Sequence, residues 1–332
     1  VRLDSDAFFG LLAATNAMPL GLKLLYSSKE GDFRVYASVE GGRMRFYFAV
    51  KHGGVWRVAE GLYNEKSGSV IIRRAEREVL EAIRSAVAKA LTQLGRPAEV
   101  GEPKEKVGEK GNVDVYYLSL HDHHLAPYLE HAADSVKAEP AEVRLEGRRI
   151  VISAGGVETA LEFKLLKGKE ADFLPVQDVE QTLALYKSLK ELGVRVEITP
   201  KGVKVDGEAM WALVAAAVER GTPSGLPAEV VPGVELLKVY NAGGMRIYAF
   251  RVSEKSTHYY FAVKAGQKWR AAGGKYDGRQ LEISGEVARA VAEAINAVYS
   301  EMGIERRVEV KLRKGVPYIL LTNVDLELLG LK

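Results

Sequence analysis

Tyr47-Phe48-Ala49-Val50-Lys51, followed by Trp56-Arg57, returns later in the chain as Tyr260-Phe261-Ala262-Val263-Lys264, followed by Trp269-Arg270. Ahead of it, Arg34-Val35-Tyr36-Ala37 answers to Arg246-Ile247-Tyr248-Ala249, and behind it Gly61 and Tyr63 answer to Gly274 and Tyr276. So much order in one sequence marks an internal duplication, and the reading of the fold starts from that repeat.

Working outward, residues 22–63 alternate apolar and polar, with Val35, Ala37 and Val39 on one side of the Gly41-Gly42 turn and Met44, Phe46, Phe48 and Val50 on the other. That period of two predicts a meander of half-buried antiparallel strands. From Ala75 to Leu94 the apolar spacing becomes helical and stops at Gly95; the matching helix is expected from Gly285 to Met302, stopped by Gly303. A charged segment from Gly101 to Gly111 leads to a strand over Val113–Leu120 and a helix over 122–136. A diverged middle portion follows, with strands expected near 142–146, 148–154 and 158–166, a helix from Val179 to Leu192, and a hairpin before Val205. A Lys-Gly pair marks the hairpin turn three times, as Lys110-Gly111, Lys201-Gly202 and Lys314-Gly315. Gly221 to Pro232 is expected to be a loop. The expected fold class is α+β, with repeated units of strands, helix, two strands and helix. The expected divisions are a first unit over 1–138, a middle unit over 139–206 and a second copy over 207–332.

The chain has 332 residues, 47% hydrophobic and 27% charged, an ordinary globular balance. It contains no cysteine, which excludes disulfides and thiolate metal sites. No apolar run is long enough for a membrane span, so no membrane is expected. Abundant Glu, Lys and Arg with few Asn and Gln lean towards a cytoplasmic protein of a hyperthermophile. The first residue is Val, read as the start of a trimmed chain whose first helix follows the last strand of a missing unit. The net charge of +3 permits a nucleic-acid partner without demanding one.

His121-Asp122-His123-His124 is the most metal-like stretch, yet neighbouring positions at a helix start point in different directions, and a structural role is expected. Nothing matches a phosphate-cradling loop or a Ser/His/Asp nucleophile set. The strand faces carry more. Arg43, Arg45, Tyr47 and Lys51, with Arg34, Tyr36 and Arg57, are expected on the face opposite the core of the first copy. Arg246, Tyr248, His258, Tyr260, Lys264 and Arg270 are expected likewise in the second. Cations interleaved with tyrosines on an open sheet suit phosphate contacts and base readout.

Phe8-Phe9-Gly10-Leu11-Leu12-Ala13-Ala14-Thr15-Asn16 and Met210-Trp211-Ala212-Leu213-Val214-Ala215-Ala216-Ala217-Val218 resemble degenerate LAGLIDADG motifs. In that homing-endonuclease superfamily, motif helices pack side by side through small residues, here Gly10/Ala14 and Ala212/Ala216, and the sheets form a DNA-binding saddle. The resemblance places the catalytic acids at Thr15 and Ala217, neither of which is acidic, and the extra middle portion departs from the two-unit plan. The closing Leu321-Thr322-Asn323-Val324-Asp325-Leu326 stretch also resembles the PaRep paralogous repeat proteins of hyperthermophilic archaea. The reading is a double-stranded DNA binder that does not cut, without cofactor or metal, a monomer with internal pseudo-symmetry. The alternatives are an active metal-dependent endonuclease using another acid such as Glu219, an RNA binder, and an interaction repeat with no nucleic-acid partner.

Overall fold

The computed structural model describes residues 5–15, 18–73, 75–107, 113–221, 225–253 and 256–332. Asp4, Asn16, Ala17, Lys110-Gly111 and Pro223 of the sequence reading lie outside them. The fold is α+β with antiparallel sheets.

The first copy runs α1 (Ser5–Thr15), β1 (Leu22–Ser27), β2 (Phe33–Glu40), β3 (Arg43–His52), β4 (Val55–Asn64), β5 (Ser69–Arg73), α2 (Arg77–Gln93), β6 (Lys104–Val107), β7 (Val113–His121) and α3 (Asp122–Asp134). The middle portion gives β8 (Glu142–Glu146), β9 (Arg149–Ala154), β10 (Val157–Glu162), β11 (Ala171–Leu174), α4 (Val179–Glu191), β12 (Glu197–Thr199) and β13 (Gly202–Asp206), and the second copy opens with α5 (Gly207–Arg220). It continues as β14 (Ala228–Val231), β15 (Val234–Ala242), β16 (Met245–Ser253), β17 (Thr257–Ala265), β18 (Lys268–Lys275), β19 (Gln280–Ser284), α6 (Val287–Glu301), β20 (Lys311–Arg313), β21 (Val316–Thr322) and α7 (Asn323–Leu328). The segment expected as a loop after α5 therefore contains a strand, β14, which pairs with β15.

Two compact units divide the chain. One holds Val1–Ala138, Pro175–Lys187 and Glu197–Lys204; the other holds Glu139–Leu174, Ser188–Val196 and Val205–Lys332. The middle portion, expected as a unit of its own, is shared out between them.

In the first unit the strands lie in the order β1-β2-β3-β4-β5-β7-β6. Met44, Phe46, Phe48 and Val50 of β3 are buried on one face, where α2 packs with Val79, Leu80, Ile83, Val87 and Leu91. In the other unit the counterparts keep that order but part between β18 and β19, giving β14-β15-β16-β17-β18 and β19-β21-β20. A single Tyr276–Leu281 bridge spans the parting. The repeated glycines sit where the chain has no room for a side chain. A Cβ on Gly61 would meet Val70 Cγ1 at 2.5 Å, and one on Gly274 would meet the Glu282 carbonyl oxygen at 2.1 Å. Each lets the following strand close on the meander.

The two copies differ in one register. Tyr36 stands opposite Tyr47 and Arg34 opposite Ala49, whereas Tyr248 stands opposite Ala262 and Arg246 opposite Lys264. The β16–β17 pairing is thus slipped by two residues relative to β2–β3. A slip of two keeps every side chain on its own face and changes only its neighbours.

Candidate nucleic-acid interface

The sheet face that the sequence presents as open is covered by a helix in each copy. On the first sheet α1 packs across β4 and β3, and on the second α5 packs across β18 and β17. Phe9 of α1 stacks on Tyr47 with ring centres 5.0 Å apart, and Trp211 of α5 stacks on Tyr260 at 4.2 Å. Both helices are tied at their starts: Asp6 pairs with Arg57 at 3.1 Å, and Glu208 pairs with Arg270 at 2.5 Å. Asp206 caps α5 by accepting from the Ala209 amide at 2.9 Å. Gly10 lies on the side of α1 that meets its own sheet. A Cβ on Gly10 would lie 3.5 Å from Trp56 Cβ.

This arrangement corrects the expectation of one continuous exposed face. Tyr36 and Tyr248 are wholly buried, and neither hydroxyl has a hydrogen-bond partner among the described residues. Burial, with the Glu219 carboxylate nearby, pushes the Tyr248 hydroxyl up to about 12. Arg57 and Arg270 face helix acids. Lys264 and Arg246 close on Glu219 at 2.6 and 3.7 Å, with Lys264 over Trp269 and Arg246 over Tyr248. Arg34 lies over the Trp56 ring at 5.9 Å. His258 is half-buried and donates from Nδ1 to the Ser256 carbonyl at 3.0 Å. Lys51 is exposed at the end of β3, opposite Trp56.

Arg43 and Arg45 remain on a strip of the first sheet that α1 does not reach. Cross-strand register continues that face through Leu62 and Glu60 of β4, Ile71 and Arg73 of β5, and Tyr117 of β7, to Lys104 of β6. A groove of about 730 Å³ lies here, with Arg43, Arg45, Lys66, Arg73, Glu60 and Glu65 among its lining. Arg45 is held between Glu40 at 2.6 Å and Glu60 at 2.7 Å, so its charge is largely answered within the sheet. Arg43 meets Glu65 only at 3.4 Å, with both side chains well exposed, a pairing that water weakens. Arg73 and Lys66 are exposed and make no ion pair among the described residues. Sequence reading missed Arg73, Lys66 and Lys104. No alternation marks Arg73, because Val70-Ile71-Ile72 ahead of it is apolar throughout.

The catalytic positions of the motif resemblance hold no acid. The Thr15 hydroxyl donates to the Leu11 carbonyl at 2.9 Å, and Ala217 is buried. Glu219, the alternative acid, is engaged by two cations. The histidine stretch serves the start of α3. His124 is buried, accepts the His121 amide at Nδ1 (3.0 Å) and donates from Nε2 to the Glu99 carbonyl (2.9 Å). Burial lowers its pKa, so the ring is held neutral. Among the described residues, no three His, Asp or Glu side chains come together as metal ligands, and no helix is long and apolar enough to cross a membrane. No protein-family model matches the sequence, and neither the curated proteins nor the solved structures yield a match.

Proposed function

We propose that this chain binds double-stranded DNA without cutting it, through the uncovered strip of its first sheet. The observation that carries the reading is the groove, where Arg43, Lys66 and Arg73 are open to solvent beside the apolar Leu62 and Ile71. Cations of this kind bind phosphates by releasing condensed counterions, and Tyr117, opposite Arg73, suits packing on sugar. The LAGLIDADG-like plan stays part of the proposal. Its support is that α1 and α5 each lie on their own sheet in the same way.

The second copy lends less than its sequence promises, because Arg246, Lys264 and Arg270 are matched by Glu219 and Glu208. Binding is therefore expected to be asymmetric. In a fluorescence-anisotropy titration with a labelled duplex, replacing Arg43, Lys66 and Arg73 together by Glu should weaken binding roughly tenfold or more and flatten its salt dependence. The triple Lys264, Arg270 and Arg246 to Gln variant should change it much less. Equal affinity of wild type and the groove variant would sink the proposal. Tighter binding of a single-stranded RNA of the same sequence would replace DNA by RNA.

The endonuclease alternative is disfavoured by the state of Glu219. A carboxylate clamped by Lys264 and Arg246 has little left for a divalent cation, which needs several oxygen ligands. Duplex DNA should survive incubation with Mg²⁺ or Mn²⁺. Specific cleavage that disappears in Glu219→Gln would install the enzyme reading instead.

A further inference from the structure

The element pattern of strands, helix, two strands and helix places three short strands in equivalent positions: β6, β12 and β20. Each is the last strand in its sheet. An outer strand offers unpaired backbone groups to other chains, and proteins commonly blunt it with lysines or cover it. β6 has Lys104, Glu105 and Lys106 exposed along it. β12 has α3 packed beside it, with Ile198 and Thr199 buried. β20 also carries charge, at Lys311 and Arg313, but an apolar residue stands exposed between them. Leu312 is 64% exposed, and Val310 just before the strand is exposed as well.

The backbone of β20 is aimed outward. Leu312 stands opposite Pro317 of β21. The Pro317 carbonyl accepts from the Gly285 amide at 2.8 Å, on the β19 side, so this residue turns its backbone away from β20. In an antiparallel pair, residues that do not bond each other direct their N–H and C=O groups away from one another. Leu312 therefore presents both groups to the open edge. Its side chain shares the face of Pro317, Ile319 and Leu321, which belong to the buried side under α6. A strand added here would extend an existing core and not a wet surface.

We propose that β20 is a docking edge for an extended segment of another protein that alternates acidic and apolar residues and joins the sheet as a further strand. Charge selects this occupant. Lys311 and Lys314, on and beside the strand, are exposed and make no ion pair among the described residues, with Arg307 exposed upstream. Arg313 is already committed to Glu282, by two contacts of 3.0 Å. A second copy of this chain fits poorly. Antiparallel self-pairing about Leu312 would set Lys311 against Arg313 of the other copy, and like charges directly opposite are destabilising. In a joined strand, apolar side chains would lie over Leu312 while carboxylates on the other face meet Lys311, the usual division in strand addition.

The test uses a fluorescent peptide of alternating Glu and Val, with a Lys-Val peptide as its counterpart. The whole chain should bind the Glu-Val peptide saturably and the Lys-Val peptide at least tenfold more weakly. Leu312→Lys, which gives β20 the protection β6 has, should abolish binding, with circular dichroism and melting temperature unchanged because Leu312 is exposed. Lys311→Glu should weaken binding of the Glu-Val peptide, flatten its salt dependence and tighten binding of the Lys-Val peptide. No saturable binding, or binding that Leu312→Lys leaves intact, would overturn the proposal. So would a wild-type dimer in sedimentation velocity that Leu312→Lys turns into monomer, since the edge would then belong to a second copy.

Discussion

Helices α1 and α5 lie on their sheets in the same way, yet one is half open and the other is closed in. Ala7, Leu11 and Thr15 form an exposed stripe on α1, with Leu11 52% exposed. The matching Ala209, Leu213 and Ala217 are buried, because β8 packs against the side of α5 that faces away from β17 and β18. Every residue from Ala209 to Val218 is buried, which a helix tolerates when it is apolar all round. The comparison teaches that the contacts duplicated with the sequence are those to the sheet beneath: an aromatic on a tyrosine, an acid on an arginine. What lies above the helix was free to differ.

The sharpest way to break this comparison is at the stripe itself. Leu213→Ala should cost roughly 2–5 kcal/mol, as buried leucines do, while Leu11→Ala should stay within about 0.5 kcal/mol. Chemical denaturation of the two variants checks this, and similar losses would mean that the two helices share more than their lower contacts.

A second contrast is in pH, at the starts of α3 and α7, where His124 and Asp325 occupy the same third helical position. Burial pushes the Asp325 carboxyl up, but hydrogen bonds from Arg306, Thr322 and Tyr299 outweigh it and hold it at about 2. Its folded pKa is depressed, so its stabilisation is present above about 4 and lost as pH falls towards 2, about 2 kcal/mol in all. For His124 the folded pKa is lowered by burial, so the neutral ring stabilises above about 6.5 and the contribution fades as pH drops below that. Hydrogen exchange from pH 7 to 3 should therefore show the α3 start loosening before the α7 start. His124→Gln should remove the early loss. Asp325→Asn should remove the later one and lower stability at neutral pH.

The smallest difference is expected at the helix anchors. Asp6 and Arg57 are both substantially exposed, and Asp6→Asn should cost roughly 0–1 kcal/mol. Glu208 keeps only 13% side-chain exposure and touches Arg195 as well as Arg270, so Glu208→Gln should cost more, about 1–3 kcal/mol. Thermal melts of both variants rank them. Equal, negligible shifts would show the anchors to be incidental.

Much of the fold was legible in the sequence. The meander and the helices ending at Gly95 and Gly303 follow from local period and terminal residues. β5 and β19 were not read, because Val70-Ile71-Ile72 is a short apolar run whose period decides nothing. The covered face was misread for a different reason. Arg34, Tyr36 and Arg57 alternate with core residues just as solvent-facing residues would, and the pattern of a strand does not record a helix laid across it. Most of the groove escaped notice since it runs across strands, through Arg73 and Lys104, and no stretch of sequence contains it.

The register slip has a consequence for how the two copies could diverge. Sliding β16 against β17 by two residues sets Arg246 directly opposite Lys264, two cations in a pairing that is unfavourable unless something lies between them. Glu219 supplies that something from the end of α5. Without the slip, Arg34 faces Ala49, Lys51 bonds through its amide to the Asp32 carbonyl, and the sequence position matching Glu219 is Ala17. Hairpin alignment and helix-end charge are thus epistatic: an insertion in one turn changes which substitutions are permitted at the far side of the unit, so neither change can be transplanted between the copies alone.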